Sequence, residues 1–527
     1  MTENLQINTR IKRLINYIEE TDSGYIQIPS FQRDFIWENK QKIELFESIK
    51  RGYPIGSLLL WKPKEKYGTS EFIGPYPLPE ARENEYFYIL DGFQRLSTIY
   101  GCLKNPKKAK VEINEVLRQK EYSIYYDLVT EEFFIPRSVS VELTQIPVYT
   151  LVDTFEFLTY ANKLQNEFTD NEKTILYLER AKELTTIFSD FTLPGIEIIG
   201  GKIEDAIEIF TRINSKGSII SPDWMLSALT SNENKDFNLG NLINELIVDL
   251  DEFNFGNIKR VLIVQCIQNS FGNIYFDTKI EVLHKRSNFI ETTYKTIESI
   301  KKAVKFLFEE LLVVSNKLLP YNSQLVFITD FFNQIENPSI QQLDILKKWF
   351  WQTTYANYFT IYSLSKIREA YELFQKYLQG KTDQILYNDK PNNPFTVIDF
   401  PNKIFFGSVR AKALVLFMLN YSHNFKPINA DEDCSLKLRY YIHENSAKNK
   451  LPENVIPLIR NVITQKGHQK NLGFTLDEKD YNKYFLTEAM LTLDKKGDTV
   501  GFLKQRKELI IQAERKFVEE LNLVYEQ

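Results

Sequence analysis

The segment Asp91-Gly92-Phe93-Gln94-Arg95 gathers a carboxylate, a carboxamide and a guanidinium within five residues. Phosphate chemistry uses this set. A carboxylate can take a magnesium ion or orient a water, an amide can hold that water, and a guanidinium can clamp phosphate oxygens and stabilise the charge developing on them. The flanking residues supply the scaffold. Tyr86 to Leu90 has the composition of a strand and Leu96 to Leu103 that of a helix, so the pentapeptide reads as the tight turn between them. In that turn Asp91 caps the helix, Gly92 takes a positive backbone angle, and the free amides of the first helical turn make an anion-ready end. The same residues also suit ordinary turn chemistry, with Arg95 paired to a surface carboxylate.

Two further segments carry similar side chains. Pro29-Ser30-Phe31-Gln32-Arg33-Asp34-Phe35-Ile36-Trp37 sets a Gln-Arg-Asp cluster among aromatics, just before a helix that Glu38 or Asn39 starts. Taken alone it fits a hydrophobic staple with a salt bridge. In Ile209-Phe210-Thr211-Arg212-Ile213-Asn214-Ser215-Lys216-Gly217, a helix with Ala206, Ile209, Phe210 and Ile213 inward stops at Asn214 and turns on Gly217. It restarts with Ser221 as N-cap and Pro222 at the first helical position. The turn brings out Arg212, Asn214, Ser215 and Lys216, a set suited to phosphate or ribose.

The elements that must position these groups change character along the chain. Over the first 230 or so residues short strand-like runs alternate with helices. Tyr25 to Ile28 is a strand candidate, Glu38 to Arg51 a helix with Ile43, Phe46 and Ile49 on one face and Gly52 and Pro54 stopping it, and Ile55 to Trp61 a largely apolar strand. From about Asp236 long amphipathic stretches take over. Ile290, Tyr294, Ile297, Ile300, Val304, Leu307 and Leu311 recur at helical spacing, as do apolar residues through 341–378 and 503–523. Segment 379–404, with Pro391, Pro394 and Pro401 among asparagines, reads as a linker or long loop. The fold class is therefore α+β: an α/β N-terminal domain over 1–230, a helical domain over 231–385 and a helical C-terminal domain over 400–527.

Composition limits the function classes. At 527 residues the chain exceeds one core at roughly 100–200 residues per domain. With 65 Lys and Arg against 70 Asp and Glu the net charge is −5, so nucleic-acid contact must come from a local basic patch. Candidate patches are Lys104 to Lys110 and His284-Lys285-Arg286, although such runs are commonly solvated surface. Cys102, Cys266 and Cys434 lie far apart, which supports neither a disulfide framework nor a zinc knuckle. The longest apolar run, Ala413 to Leu419, is far short of the roughly 20 residues of a membrane span, and the N-terminus lacks a signal-peptide core. The expectation is a cytoplasmic protein without a membrane partner.

In order and spacing, Ile28 to Trp37, Pro54-Ile-Gly-Ser-Leu-Leu-Leu60, Leu90 to Arg95 and Phe210 to Gly217 together resemble the N-terminal domain of GmrSD-type modification-dependent restriction endonucleases. The resemblance implies a ParB/sulfiredoxin-like fold whose Asp-Gly-Gln-Gln-Arg loop binds and hydrolyses a nucleoside triphosphate with Mg2+ in phage defence. Carried over, Asp91, Gln94 and Arg95 are the catalytic candidates and Asp91 the metal ligand. Gln32, Arg33, Gly92, Phe93, Arg212 and Asn214 are the nucleotide-binding candidates. The family's first Gln is Phe93 here. An aromatic cannot orient water, so the departure favours binding, with Phe93 stacking, over hydrolysis.

Relatives of this length add a C-terminal HNH-type nuclease, and Gly501 to Ile510 resembles the helix that closes such chains. The nuclease core is not intact. His423, His443 and His468 with Asn449, Asn454, Asn461 and Asn471 are candidates, yet Tyr441-Ile-His443-Glu-Asn-Ser lacks the expected Pro, as in a degenerate HNH-type domain. The expected function is antiphage defence: nucleotide binding and hydrolysis that control recognition or restriction of DNA, base-modified phage DNA included, with a partner protein or a second copy. The alternative is a non-catalytic DNA-sensing or scaffold subunit serving a separate nuclease.

Overall fold

The computed structural model describes residues 5–525 except 33–34, 36, 84, 110–112, 137–140, 168–170, 214–225, 228, 231–236, 431–433, 442–449 and 460–477. The chain divides into two compact units, Met1–Gly240 and Asn241–Gln527. The architecture is mixed α+β.

The first unit runs β1 (Gln6–Arg13), α1 (Leu14–Asp22), β2 (Ile26–Gln27), α2 (Asn39–Lys50), β3 (Leu58–Lys62), a small hairpin β4–β5 (Phe72–Ile73, Tyr76–Pro77), β6 (Phe87–Asp91) and α3 (Phe93–Leu103). A one-turn helix α4 (Glu115–Leu117) and three short strands β7–β9 (Tyr125–Asp127, Glu132–Phe134, Gln145–Pro147) follow. Then come α5 (Thr154–Glu167), α6 (Asn171–Asp190), β10 (Thr192–Ile199) and α7 (Ile203–Ile213).

A five-stranded sheet in the order β1-β10-β3-β6-β2 forms the centre. It is mixed: β1/β10 and β3/β6 are antiparallel, and β10/β3 and β2/β6 are parallel. β3 and β6 are apolar up to their last residues, Lys62 and Asp91, because both faces are covered. Leu58, Leu60, Phe87, Ile89 and Leu193 join a large core with Leu14 of α1, Phe46 of α2 and Leu96 of α3. Leu59, Trp61, Tyr88, Leu90 and Ile198 join a smaller core on the opposite face with Ala206 and Ile207 of α7. Between Leu59 and Leu60 the β3/β6 register shifts, so Leu60 pairs with Ile89 but Leu59 pairs with Asp91. Such an irregularity re-aims the strand end and recurs beside functional sites.

The helix expected over 38–51 is α2, with Glu38 as N-cap and Phe46 and Ile49 buried. The strand expected from Ile55 begins only at Leu58, because Ile55 to Ser57 form a loop in which Gly56 has φ +88.

The second unit is mostly helical, with long helices Phe289–Leu311, Asn322–Gln334, Ile340–Tyr355, Leu364–Leu378, Val409–Ser422 and Thr499–Glu520. The apolar spacing from Ile290 marks the first of these, although Tyr294 faces solvent and Thr293 and Thr296 fill the buried face. Trp349, Phe350 and Trp351 are core, and every residue of Ala413 to Leu419 is buried. Segment 379–404 contains a short strand, Thr396–Val397, paired in parallel with Val524–Tyr525. Arg410 makes a two-pronged buried pair with Glu514 at 2.7 and 2.7 Å, and Tyr355 and Tyr525 also donate to Glu514. The three cysteines are buried free thiols. Among the described residues no helix is long and apolar enough to cross a membrane.

Asp330, on Asn322–Gln334, is buried and accepts from Tyr371 at 2.8 Å and from Gln375. Burial pushes its carboxyl up to about 6 despite these hydrogen bonds. A carboxyl raised on folding keeps its full stabilising contribution below the unfolded pKa of about 4, and loses it as pH rises through the folded value. Asp330→Asn removes that loss. Chemical denaturation should find the variant's stability relative to the parent rising between about pH 4 and pH 6 and levelling off above, by on the order of 3 kcal/mol in total.

Candidate functional site

The turn joining β6 to α3 is built around Gly92. Gly92 is the N-cap of α3 and has φ +89, a left-handed conformation that glycine adopts without strain. A Cβ here would lie 2.4 Å from Leu58 Cδ2. The cap therefore falls one residue later than expected. Asp91 is the last residue of β6, and no side chain caps the helix, because the Asp91 carboxylate is engaged elsewhere.

That engagement is an ion pair. Arg95 Nη2 lies 3.2 Å from Asp91 Oδ2, and Arg95 Nη1 donates to the Ile55 carbonyl at 2.6 Å. Both side chains are partly buried, at 17% and 28% exposure. Burial draws the Arg95 pKa below its ordinary value and the Asp91 charge opposes the shift. The guanidinium fits against Gly56, where a Cβ would stand 2.2 Å from Arg95 Nη1. Sequence reasoning did not single out Ile55 and Gly56 as site residues. The signal was a glycine at the mouth of an apolar strand, a position that marks close approach by another group.

The loop before α2 docks beside this turn. Gln32 Nε2 donates to the carbonyls of Ile89 at 2.9 Å and Leu90 at 3.3 Å, just ahead of Asp91. Gln94 is nearly fully buried, and its Oε1 accepts from the Trp37 amide at 3.2 Å. Phe93 is half-buried with its ring edge-on to Phe35 at 6.4 Å, packed against the larger core. The structure thus gathers Gln32, Asp91, Gly92, Phe93, Gln94 and Arg95. Arg212, in the last turn of α7, is exposed and pairs with Glu208 of its own helix at 2.5 Å. Arg33 and Asn214 lie outside the described residues.

Residues 11–230 match the family described as GmrSD restriction endonuclease, N-terminal domain. Most of the first unit is thus similar to a GmrSD-type N-terminal domain. The match covers less than half of the chain. An uncharacterized protein of Methanocaldococcus jannaschii is 22% identical over 247 residues, covering 42% of this chain. The chain spans 42% of the length of that curated relative. The matched stretch includes the Asp91–Arg95 turn.

The remaining candidates lie away from this turn. Lys104, Lys107 and Lys108 pair with Asp22, Glu156 and Asp153. His423 ends the helix Val409–Ser422, with Nδ1 at 2.9 Å from the Leu419 carbonyl and 3.1 Å from Ser422 Oγ. Asn454 is buried, whereas His443, His468, Asn449, Asn461 and Asn471 lie outside the described residues. Among the described residues no group of three or more His, Cys, Asp or Glu could hold a metal.

The support of Arg95 by Gly56 is directly testable. Gly56→Ala should displace the guanidinium and strain the backbone, at about 1–3 kcal/mol. Gly52→Ala, also at positive φ but facing open space, should cost about 1 kcal/mol. Thermal denaturation of the two variants measures the difference; equal losses would show that Arg95 does not depend on Gly56.

Proposed function

We propose that the Asp91–Arg95 turn of the GmrSD-type domain is a nucleoside triphosphate site, and that the protein is an antiphage defence protein in which this site controls recognition or restriction of DNA, base-modified phage DNA included. One observation supports the reading most directly. The sheet delivers an oppositely charged pair, partly shielded from water, to a helix N-terminus that no side chain caps. Backbone amides at such an end attract phosphate.

Without nucleotide, Asp91 and Arg95 satisfy each other. With it, Arg95 would release the carboxylate and take phosphate oxygens through charge-assisted hydrogen bonds. Asp91 would then hold Mg2+. A single carboxylate fits that role, since Mg2+ is commonly held by one or two carboxylates together with substrate phosphates and waters. The cation would supply neutralisation of the phosphate charge and a polarised water. Gln94 acts here as a positioning residue, since its Oε1 serves the Trp37 amide and thereby ties Trp37 to α3. Phe93 brings no group that orients water, so binding is strong relative to turnover. The ParB-like assignment of the fold belongs to this reading, as does the C-terminal unit's engagement of DNA or a partner protein.

Phe93 also favours a second reading, a DNA-sensing or scaffold subunit that binds nucleotide without hydrolysing it. Phosphate release by the purified protein with Mg2+ separates the two.

Asp91→Ala and Arg95→Ala should each abolish nucleotide binding and protection against phage while leaving the circular dichroism spectrum intact. Loss of a buried clamp on phosphate corresponds to about 2–5 kcal/mol of affinity. Arg95→Lys should restore little, because an ammonium cannot bond two oxygens in a planar fork. Chelation of Mg2+ should weaken binding to the parent, as Asp91 then faces phosphate with its charge uncompensated. Parent-like binding and protection by both alanine variants would remove the site assignment.

A further inference from the structure

The central sheet of the first unit ends in two unlike edges. At one edge stands β2, two residues long. At the other stands β1, eight residues long, paired with β10 on its inner side and with no strand on its outer side among the described residues. An exposed edge of this length offers a row of backbone donors and acceptors to another strand, and proteins commonly blunt such edges with lysine or arginine.

The cations of β1 are engaged otherwise. Arg10 Nε lies 3.1 Å from Glu197, and Lys12 Nζ lies 3.3 Å from Glu197 and 2.7 Å from Glu20. Register explains this grouping. Asn8 sits opposite Glu197, Arg10 opposite Gly195 and Lys12 opposite Leu193, so these side chains share the face that carries Glu197. The alternate residues Ile7, Thr9 and Ile11 sit opposite Ile198, Ile196 and Pro194 on the other face. There Ile7 is 54% and Ile11 70% exposed. An apolar stripe thus continues from β10 to the rim of the sheet and stops in water.

We infer that the free edge of β1 pairs with β1 of a second copy of this chain, antiparallel about a twofold axis at Thr9, joining the two central sheets into one. The sequence is self-complementary in this register. Thr9 meets its own mate, Ile7 of one copy meets Ile11 of the other, Asn8 meets Arg10 and Gln6 meets Lys12, so no cation faces a cation. Cross-strand Thr–Thr and β-branched pairs are favourable, and like charges directly opposite are not. Centring the pairing on Arg10 would oppose two arginines and set Ile7 against Arg13. Centring it on Asn8 would leave Ile11 and Lys12 unpaired by described strand residues. A twofold contact uses the same patch on both copies, which the Thr9 register satisfies. The contact of one strand pair is small beside stable interfaces of roughly 1,200–2,000 Å², so the dimer depends on concentration.

Cysteine crosslinking tests the register. Cα atoms directly opposite in an antiparallel pair are about 4.5–5.5 Å apart, within disulfide reach. Under mild oxidation Thr9→Cys should therefore form a covalent dimer of the full chain. In Asn8→Cys the two new cysteines are offset by two residues along the strand, beyond the roughly 7 Å that a disulfide spans, and should not crosslink. The native thiols are buried and give little background. Sedimentation velocity should show the parent dimerising as concentration rises. Ile7→Lys/Ile11→Lys should dimerise more than about tenfold more weakly with an unchanged circular dichroism spectrum. A parent that stays monomeric while Thr9→Cys fails to crosslink, equal crosslinking of the two cysteine variants, or a folded double lysine variant that dimerises like the parent would each overturn the inference.

Discussion

The candidate site depends on where one guanidinium is held. Arg95 is anchored at three points: the Asp91 carboxylate, the Ile55 carbonyl, and the bare backbone of Gly56 that leaves room for it. Each anchor comes from a different level of the fold. Asp91 is delivered by the end of β6, Ile55 and Gly56 by the loop leading into β3, and Arg95 itself by the first turn of α3. Since β3 and β6 are neighbours in the sheet, the loop and the helix approach one another only when the sheet is assembled. A charge taken out of water in this way needs its partners in place. The cation therefore reports on the sheet as much as on the turn.

Much of this organisation was legible in the sequence. The strand-turn-helix around Asp91 could be read because Gly92 interrupts two patterns of different period, and the positive φ at Gly92 is the one that the turn requires. The boundaries of α2 followed from Glu38 and Gly52. The long helices of the second unit followed from apolar spacing, since burial of one stripe is what stabilises such a helix. The family match over 11–230 falls on the stretch where the ordered motifs lie.

Other features were hidden for physical reasons. Asp91 is a good capping residue by type, but it pairs with Arg95 four residues on, and local propensity cannot weigh a cap against an ion pair. Gln94 has the side chain for holding water, yet its burial against Trp37 is set by a segment nearly sixty residues earlier in the chain. Ile55 looks like strand by composition; its carbonyl is drawn off to Arg95, so the ladder starts three residues later. In each case a contact distant in sequence overrode a correct local preference.

The register shift between Leu59 and Leu60 bears on how this domain can evolve. Side chains of β3 alternate between two separate cores, Leu58 and Leu60 on one side and Leu59 and Trp61 on the other. Losing or gaining one residue within the strand would exchange those allegiances and turn a tryptophan toward the wrong interior. Insertions and deletions are thus disfavoured within β3, and the spacing from Leu58 to Trp61 is held by the two interiors it serves.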